Sequence, residues 1–179
     1  MPHLFLKSSD MEVVSMHINC DAANKLVKSL MADLEKVEAN EKNNREYRYT
    51  YGQEPEIPEY DIHATQAKID EINGKIFALK HAINRFNLET VVEGFDFTMD
   101  EALVRLKVLN KRRNVLNEMR SMPASSRTTS YRSVDAEIVK PNFDLDEAEK
   151  LYQNVNKELM LLQQAINRTN LTKTFEVDV

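Results

Sequence analysis

The chain predicts a mainly α-helical fold, two long antiparallel helical hairpins forming a four-helix bundle or coiled coil, and three observations carry that expectation. The 179 residues include only three glycines, five prolines and no tryptophan, while 30% are charged and 42% hydrophobic, a composition poor in turns and rich in helix formers. Apolar residues then recur at alternating steps of three and four over long stretches, the period of one helix face. Finally, Ala82-Ile83-Asn84-Arg85-Phe86-Asn87-Leu88 returns 83 positions later as Ala165-Ile166-Asn167-Arg168-Thr169-Asn170-Leu171. At the same offset Ile72, Ile76 and Leu79 are answered by Val155, Leu159 and Leu162, so one helical design is used twice. A single helical domain over 1–179 is expected, with one hairpin at 21–87 and its repeat at 98–170.

Residues 11–18 carry β-branched residues in partial alternation, which leaves a short strand and an extended N-terminal lead-in both open. The first helix is expected from an N-cap at Asp21, with Leu26, Leu30, Leu34 and Val37 along one stripe, to about Asn43 or Asn44. Residues 45–60 hold four tyrosines, Gly52, Pro55 and Pro58, and proline stops a helix from continuing through them. The second helix is expected over Asp61–Phe86, where Ile62, Ile69, Ile72, Ile76, Leu79, Ile83 and Phe86 follow heptad spacing. At ~1.5 Å per residue it would be about 39 Å long, suited to lying along another helix. Gly74 interrupts it, at a cost of ~1 kcal/mol relative to alanine unless a neighbouring backbone needs the space.

The third helix has a clear start, because Thr98-Met99-Asp100-Glu101 is a capping box ahead of Ala102, Leu106, Leu109 and Leu116, and it should stop near Met122-Pro123. Ser/Thr-rich residues 124–130 are followed by strand-like alternation at Val134, Ala136 and Ile138, so a short β-hairpin or extended arm is expected near 128–140. The fourth helix should open at Asp144, with Glu147 three residues on, and carry Tyr152, Val155, Leu159, Leu162 and Ile166 inward.

A net charge of -5 argues against a dedicated nucleic-acid binder, which carries a broad basic surface. Cys20 is the only cysteine, so no intrachain disulfide can form, and a reducing cytoplasm is the expected location. The N-terminus lacks the apolar core of a signal peptide. No stretch approaches the ~20 apolar residues that a membrane-spanning helix needs.

Two readings of the repeated heptapeptide stay open. In the structural one, Asn87 and Asn170 close their helices in the left-handed conformation, with Asn84 and Asn167 a turn behind, and Arg85 and Arg168 meet the last carbonyls. In the other, the paired Asn-Arg units hold a carboxylate or phosphate through the bidentate arginine fork. A second anion candidate is the basic run containing Arg105, Lys107, Lys111, Arg112, Arg113, Arg120, Arg127 and Arg132 against one acid, Glu118. Either it is a solvated face, or it binds nucleic acid or a phosphorylated ligand. His17 and Cys20 lack the second pair that a tetrahedral metal site requires. The acids Glu54, Glu56, Glu59 and Asp61 near His63 follow no calcium or zinc pattern. No phosphate-cradling glycine loop or nucleophile elbow is present, so no catalytic residue, cofactor, metal or small-molecule substrate is expected.

The order Ile83-Asn84-Arg85-x-Asn87, then Thr98-Met99-Asp100-Glu101-Ala102-Leu103, then Val134-Asp135, then Ile166-Asn167-Arg168-Thr169-Asn170 resembles the septicolysin-like family of small bacterial proteins over roughly the C-terminal two-thirds of the chain. The resemblance implies a long-helix bundle and a pore-forming activity, and brings no catalytic residues. The residues themselves favour an intracellular structural or interaction protein, because long heptad-patterned helices in so short a chain are naturally covered by homo-oligomerisation.

Overall fold

The computed structural model describes residues 15–128 and 137–178. It is mainly helical: β1 (Ser15–Asn19), α1 (Cys20–Asn44), α2 (Ile62–Glu89), α3 (Met99–Arg120), β2 (Ser126–Thr128), β3 (Glu137–Val139), α4 (Leu145–Thr172) and β4 (Thr174–Asp178). The chain divides into two compact units, one formed by the described residues up to Asn87 together with those from Asn170 onward, the other by Leu88–Thr169.

In the first unit the extended lead-in is a strand. β1 pairs antiparallel with β4, with Met16 opposite Val177 and Ile18 opposite Phe175. The pairing holds Asn19 extended, and its side-chain oxygen accepts from the Ala22 N–H at 2.8 Å. Asn19 is therefore the N-cap, not Asp21. Asp21 lies in the first turn instead, where a carboxylate meets the positive end of the helix dipole. The Asn19 amide also donates to the Leu171 carbonyl at 3.0 Å, tying the start of α1 to the end of α4. Cys20, Ala23 and Val27 are the most buried residues of α1, with Leu26, Leu30, Leu34 and Val37 half-buried.

Helix α2 is capped by Asp61, whose Oδ1 accepts from the His63 and Ala64 N–H groups. Its buried stripe is Ile72, Ile76, Leu79, Ala82, Ile83 and Phe86, whereas Ile62 is exposed and Ile69 half-buried. Gln66 donates to Glu41 at 2.9 Å, and the Phe86 ring meets Phe175 of β4 with centroids 5.1 Å apart. The end of α1 thus lies beside the start of α2, the arrangement of an antiparallel pair. The helix runs on to Glu89 and α4 to Thr172. Asn87 and Asn170 are consequently helical residues inside the last turn rather than left-handed caps beyond it, and Asn84 and Asn167 sit one turn further back.

The second unit starts with a turn in which Gly94 adopts φ +83°, a conformation glycine takes without a Cβ penalty. The Val92 N–H donates to the Phe97 carbonyl, and the Met99 N–H to that of Thr90. The expected capping box is present: Glu101 N–H donates to Thr98 Oγ1 at 3.4 Å, and Thr98 N–H to Glu101 Oε2 at 2.8 Å. Asp144 caps α4 through the Asp146 N–H. Ala102, Leu109 and Leu116 of α3 and Val155, Leu159, Leu162 and Ile166 of α4 are buried. The two helices run antiparallel, since Arg120 at the end of α3 pairs with Glu149 in the second turn of α4 at 2.9 Å. The small hairpin is β2 against β3, with Arg127 opposite Ile138; Val134 and Ala136 lie outside the described residues.

Candidate functional site

The second unit carries an apolar cleft of about 350 Å³ lined by Phe95, Phe97, Val104, Arg105, Val108, Leu109, Glu158, Leu161 and Leu162. Each element delivers its share for a local reason. The Gly94 turn brings Phe95 and Phe97 together, with ring centroids 4.8 Å apart and planes inclined by 39°. Because α3 turns about 100° per residue, Val104 and Val108 lie beside the Ala102–Leu109–Leu116 stripe rather than on it. They stay 55% and 61% exposed, and Leu161 of α4, facing the same cleft, is 53% exposed. Arg105 places its guanidinium 4.3 Å from the Phe97 ring centroid, a cation–π contact.

The cleft lining is mostly aliphatic and aromatic, with two charged side chains among them. Arg105 and Glu158 place one charge of each sign on it. That arrangement suits an apolar body with polar margins.

The residues singled out in the sequence fall elsewhere. Arg85 shares a groove with His81, Glu176 and Asp178 in the first unit, where two carboxylates already provide the negative charge an anion would bring. Arg168 pairs with Glu93 at 3.5 Å. Beside it, the buried Thr169 hydroxyl accepts from the Glu93 N–H at 3.1 Å and donates to the Ala165 carbonyl at 2.9 Å. Among the described residues, the buried Asn170 Oδ1 has no hydrogen-bond donor. Arg112 is exposed on α3, Arg113 is half-buried and donates to Asn114, and Arg127 is exposed on β2; Arg132 lies outside the described residues. Arg120 is engaged by Glu149, by Asn117 Oδ1, to which it donates at 3.0 and 3.1 Å, and by the Tyr152 ring 4.0 Å away. The Arg120 hydrogen bond holds the Glu149 carboxyl below the usual carboxylate range.

Among the described residues no group of three or more His, Cys, Asp and Glu could hold a metal ion. His17 is exposed on β1 while Cys20 is buried, and burial pushes its thiol up from the usual value, which disfavours the reactive thiolate. Sequence patterning missed Phe95, Phe97, Val104, Val108, Glu158 and Leu161. The available signal was a set of valines, 104, 108 and 115, at helical spacing but off the core stripe.

With this geometry in view, the chain belongs to a family of unknown function, DUF6847, whose model matches residues 32–172. It is also similar to a crystal structure described as a functionally unknown conserved protein from Corynebacterium diphtheriae. The TM-score is 0.63 at 18% identity, over 89% of this chain and 99% of that one, which establishes a shared fold. No curated protein matches the chain.

Proposed function

We propose that this family member is a non-enzymatic helical interaction protein of the cytoplasm that self-associates through the cleft face of α3 and α4. One observation carries the reading. Val104, Val108, Val115 and Leu161 are each about half exposed or more, on a helix pair whose own core is already filled by Leu109, Leu116, Leu159 and Leu162. Aliphatic side chains left outside a complete core are the mark of a surface that is covered by a partner, and a stable contact needs ~800 Å² from each side. Light scattering at micromolar concentration tests it. The native chain should exceed the monomer mass, and Val108→Glu with Leu161→Glu should return it to a monomer of unchanged helicity. A native chain that is strictly monomeric refutes the proposal.

A second reading, membrane activity of the septicolysin-like kind, draws on the same stripe, because Arg105, Lys107, Lys111 and Arg112 flank its valines as cations flank the apolar face of an interfacial helix. Among the described residues no helix is long and apolar enough to cross a membrane, so this reading begins with surface attachment. Dye release from anionic vesicles supports it, and intact vesicles remove it. Nucleic-acid or phosphorylated-ligand binding through 105–132 is less supported, since Arg105 and Arg120 are held by aromatic rings and Glu149. It requires steep salt dependence, so a flat binding curve dismisses it.

A further inference from the structure

The loop between α1 and α2 is the electrostatic counterpart of the α3 face. Its residues 46–61 carry Glu46, Glu54, Glu56, Glu59 and Asp61 against a single base, Arg48, and that base pairs with Glu46. On this acidic background Tyr49 is 60%, Ile57 63% and Tyr51 fully exposed. The loop has defined geometry. Gln53 N–H donates to the Thr50 carbonyl at 3.0 Å across a turn with Gly52 at φ +87°, and the Tyr47 and Tyr49 rings stack with centroids 6.1 Å apart. Proline at 55 and 58 restricts the backbone between the acids.

The α3 face is the reverse. Val104, Val108 and Val115 form the apolar stripe, Lys107 and Lys111 stand on one side of it, and Arg105 and Arg112 on the other. Lys107, Lys111 and Arg112 have no ion pair among the described residues, and neither have Glu54, Glu56 and Glu59. Packing α3 against the α3 of another copy would set like charges in apposition, which is unfavourable by several-fold in affinity for each pair.

We infer that the tyrosine-rich acidic loop 46–61 of one copy docks on the basic, valine-striped face of α3 in a second copy. The assignment rests on the self-association proposed above and names the two surfaces that meet. Tyr51 and Ile57 cover the valines and the cleft margin, and Glu54, Glu56 and Glu59 meet Lys107, Lys111 and Arg112. Aromatic anchors surrounded by complementary charge are the usual composition of a specific contact. Every copy carries both halves, so each interface joins unlike surfaces.

Charge exchange tests the pairing. Lys107→Glu/Lys111→Glu/Arg112→Glu reverses one surface, and Glu54→Lys/Glu56→Lys/Glu59→Lys the other. Each variant alone should self-associate at least about ten-fold more weakly than the native chain by sedimentation, and an equimolar mixture should recover association as mixed assemblies, because both contacts are again complementary. All substituted positions are exposed, so circular dichroism should show unchanged helicity. If the native chain associates, loses association on Val108→Glu with Leu161→Glu, but is indifferent to both charge reversals, self-association stands and this docking is overturned. Two weakened variants whose mixture does not recover also overturn it. A monomeric native chain refutes the underlying function instead.

Discussion

Replacing Gly74 with alanine should stabilise the protein by ~1 kcal/mol, the full difference in helix propensity. Gly74 sits deep inside α2, is exposed, and keeps its φ out of the left-handed region. An added Cβ would find nothing within 4 Å, so no steric charge is set against the entropy that alanine removes from the unfolded chain. Guanidinium unfolding followed by helical circular dichroism measures it: the midpoint should rise with the slope unchanged. The thermal shift carries further information. A gain of that size raises Tm by about 2–4 °C if the whole chain melts together and by about 4–8 °C if a unit of up to ~100 residues melts alone. The matched control is Gly52→Ala, where φ is +87° with equally open space; there the same methyl group should destabilise by about 1 kcal/mol, because the backbone conformation itself is disfavoured. A neutral or destabilising Gly74→Ala would refute the reasoning, and would mean that another surface approaches this backbone in solution.

Thr169→Val keeps the shape of a fully buried side chain but removes the acceptor for the Glu93 N–H; a loss of about 1–3 kcal/mol is expected from denaturant titration, with Thr169→Ser losing less. Thr98→Ala dismantles the capping box and should cost ~1 kcal/mol, read as a lower unfolding midpoint. Glu149 titrates below its ordinary value when folded because Arg120 holds it, so its stabilising effect is present above the unfolded carboxylate value and is lost as pH falls through the folded one. The stability gap between the native chain and Glu149→Gln should therefore narrow on acidification, and a gap that stays constant with pH contradicts the assignment. Cys20, buried with its thiol pushed up, should react with a thiol reagent far more slowly in the folded chain than in denaturant.

Much of the fold is legible because its signals are local. The Thr98–Glu101 box, the Asp144 cap and the α2 stripe from Ile72 to Phe86 depend on residues two to four positions apart, and the structure realises each of them. Where two local signals compete, distant contacts choose. Asn19 and Asp21 can both cap a helix, and Asn19 does so because the β1–β4 pairing holds it extended. Strand β4 is invisible to patterning for a related reason: Thr174-Phe175-Glu176-Val177-Asp178 alternates over only five residues, and its partner lies at the other end of the chain. The repeated Asn-Arg heptapeptide illustrates the opposite error. Its Asn87 and Asn170 look like stop signals, yet both helices continue for two more residues.

The cleft could not be read from the chain. Val104 and Val108 occur in a helix like any other valines, and their exposure depends on where α4 sets Leu161 and where the Gly94 turn sets Phe95 and Phe97. Helix content, caps and the apolar stripes follow from the order of residues alone, since hydrogen bonds and side-chain contacts within a turn or two enforce them. Which strands pair, which cap is used and which apolar side chains remain uncovered follow only from packing between distant segments, because burial is a property of neighbours in space and not of neighbours along the chain.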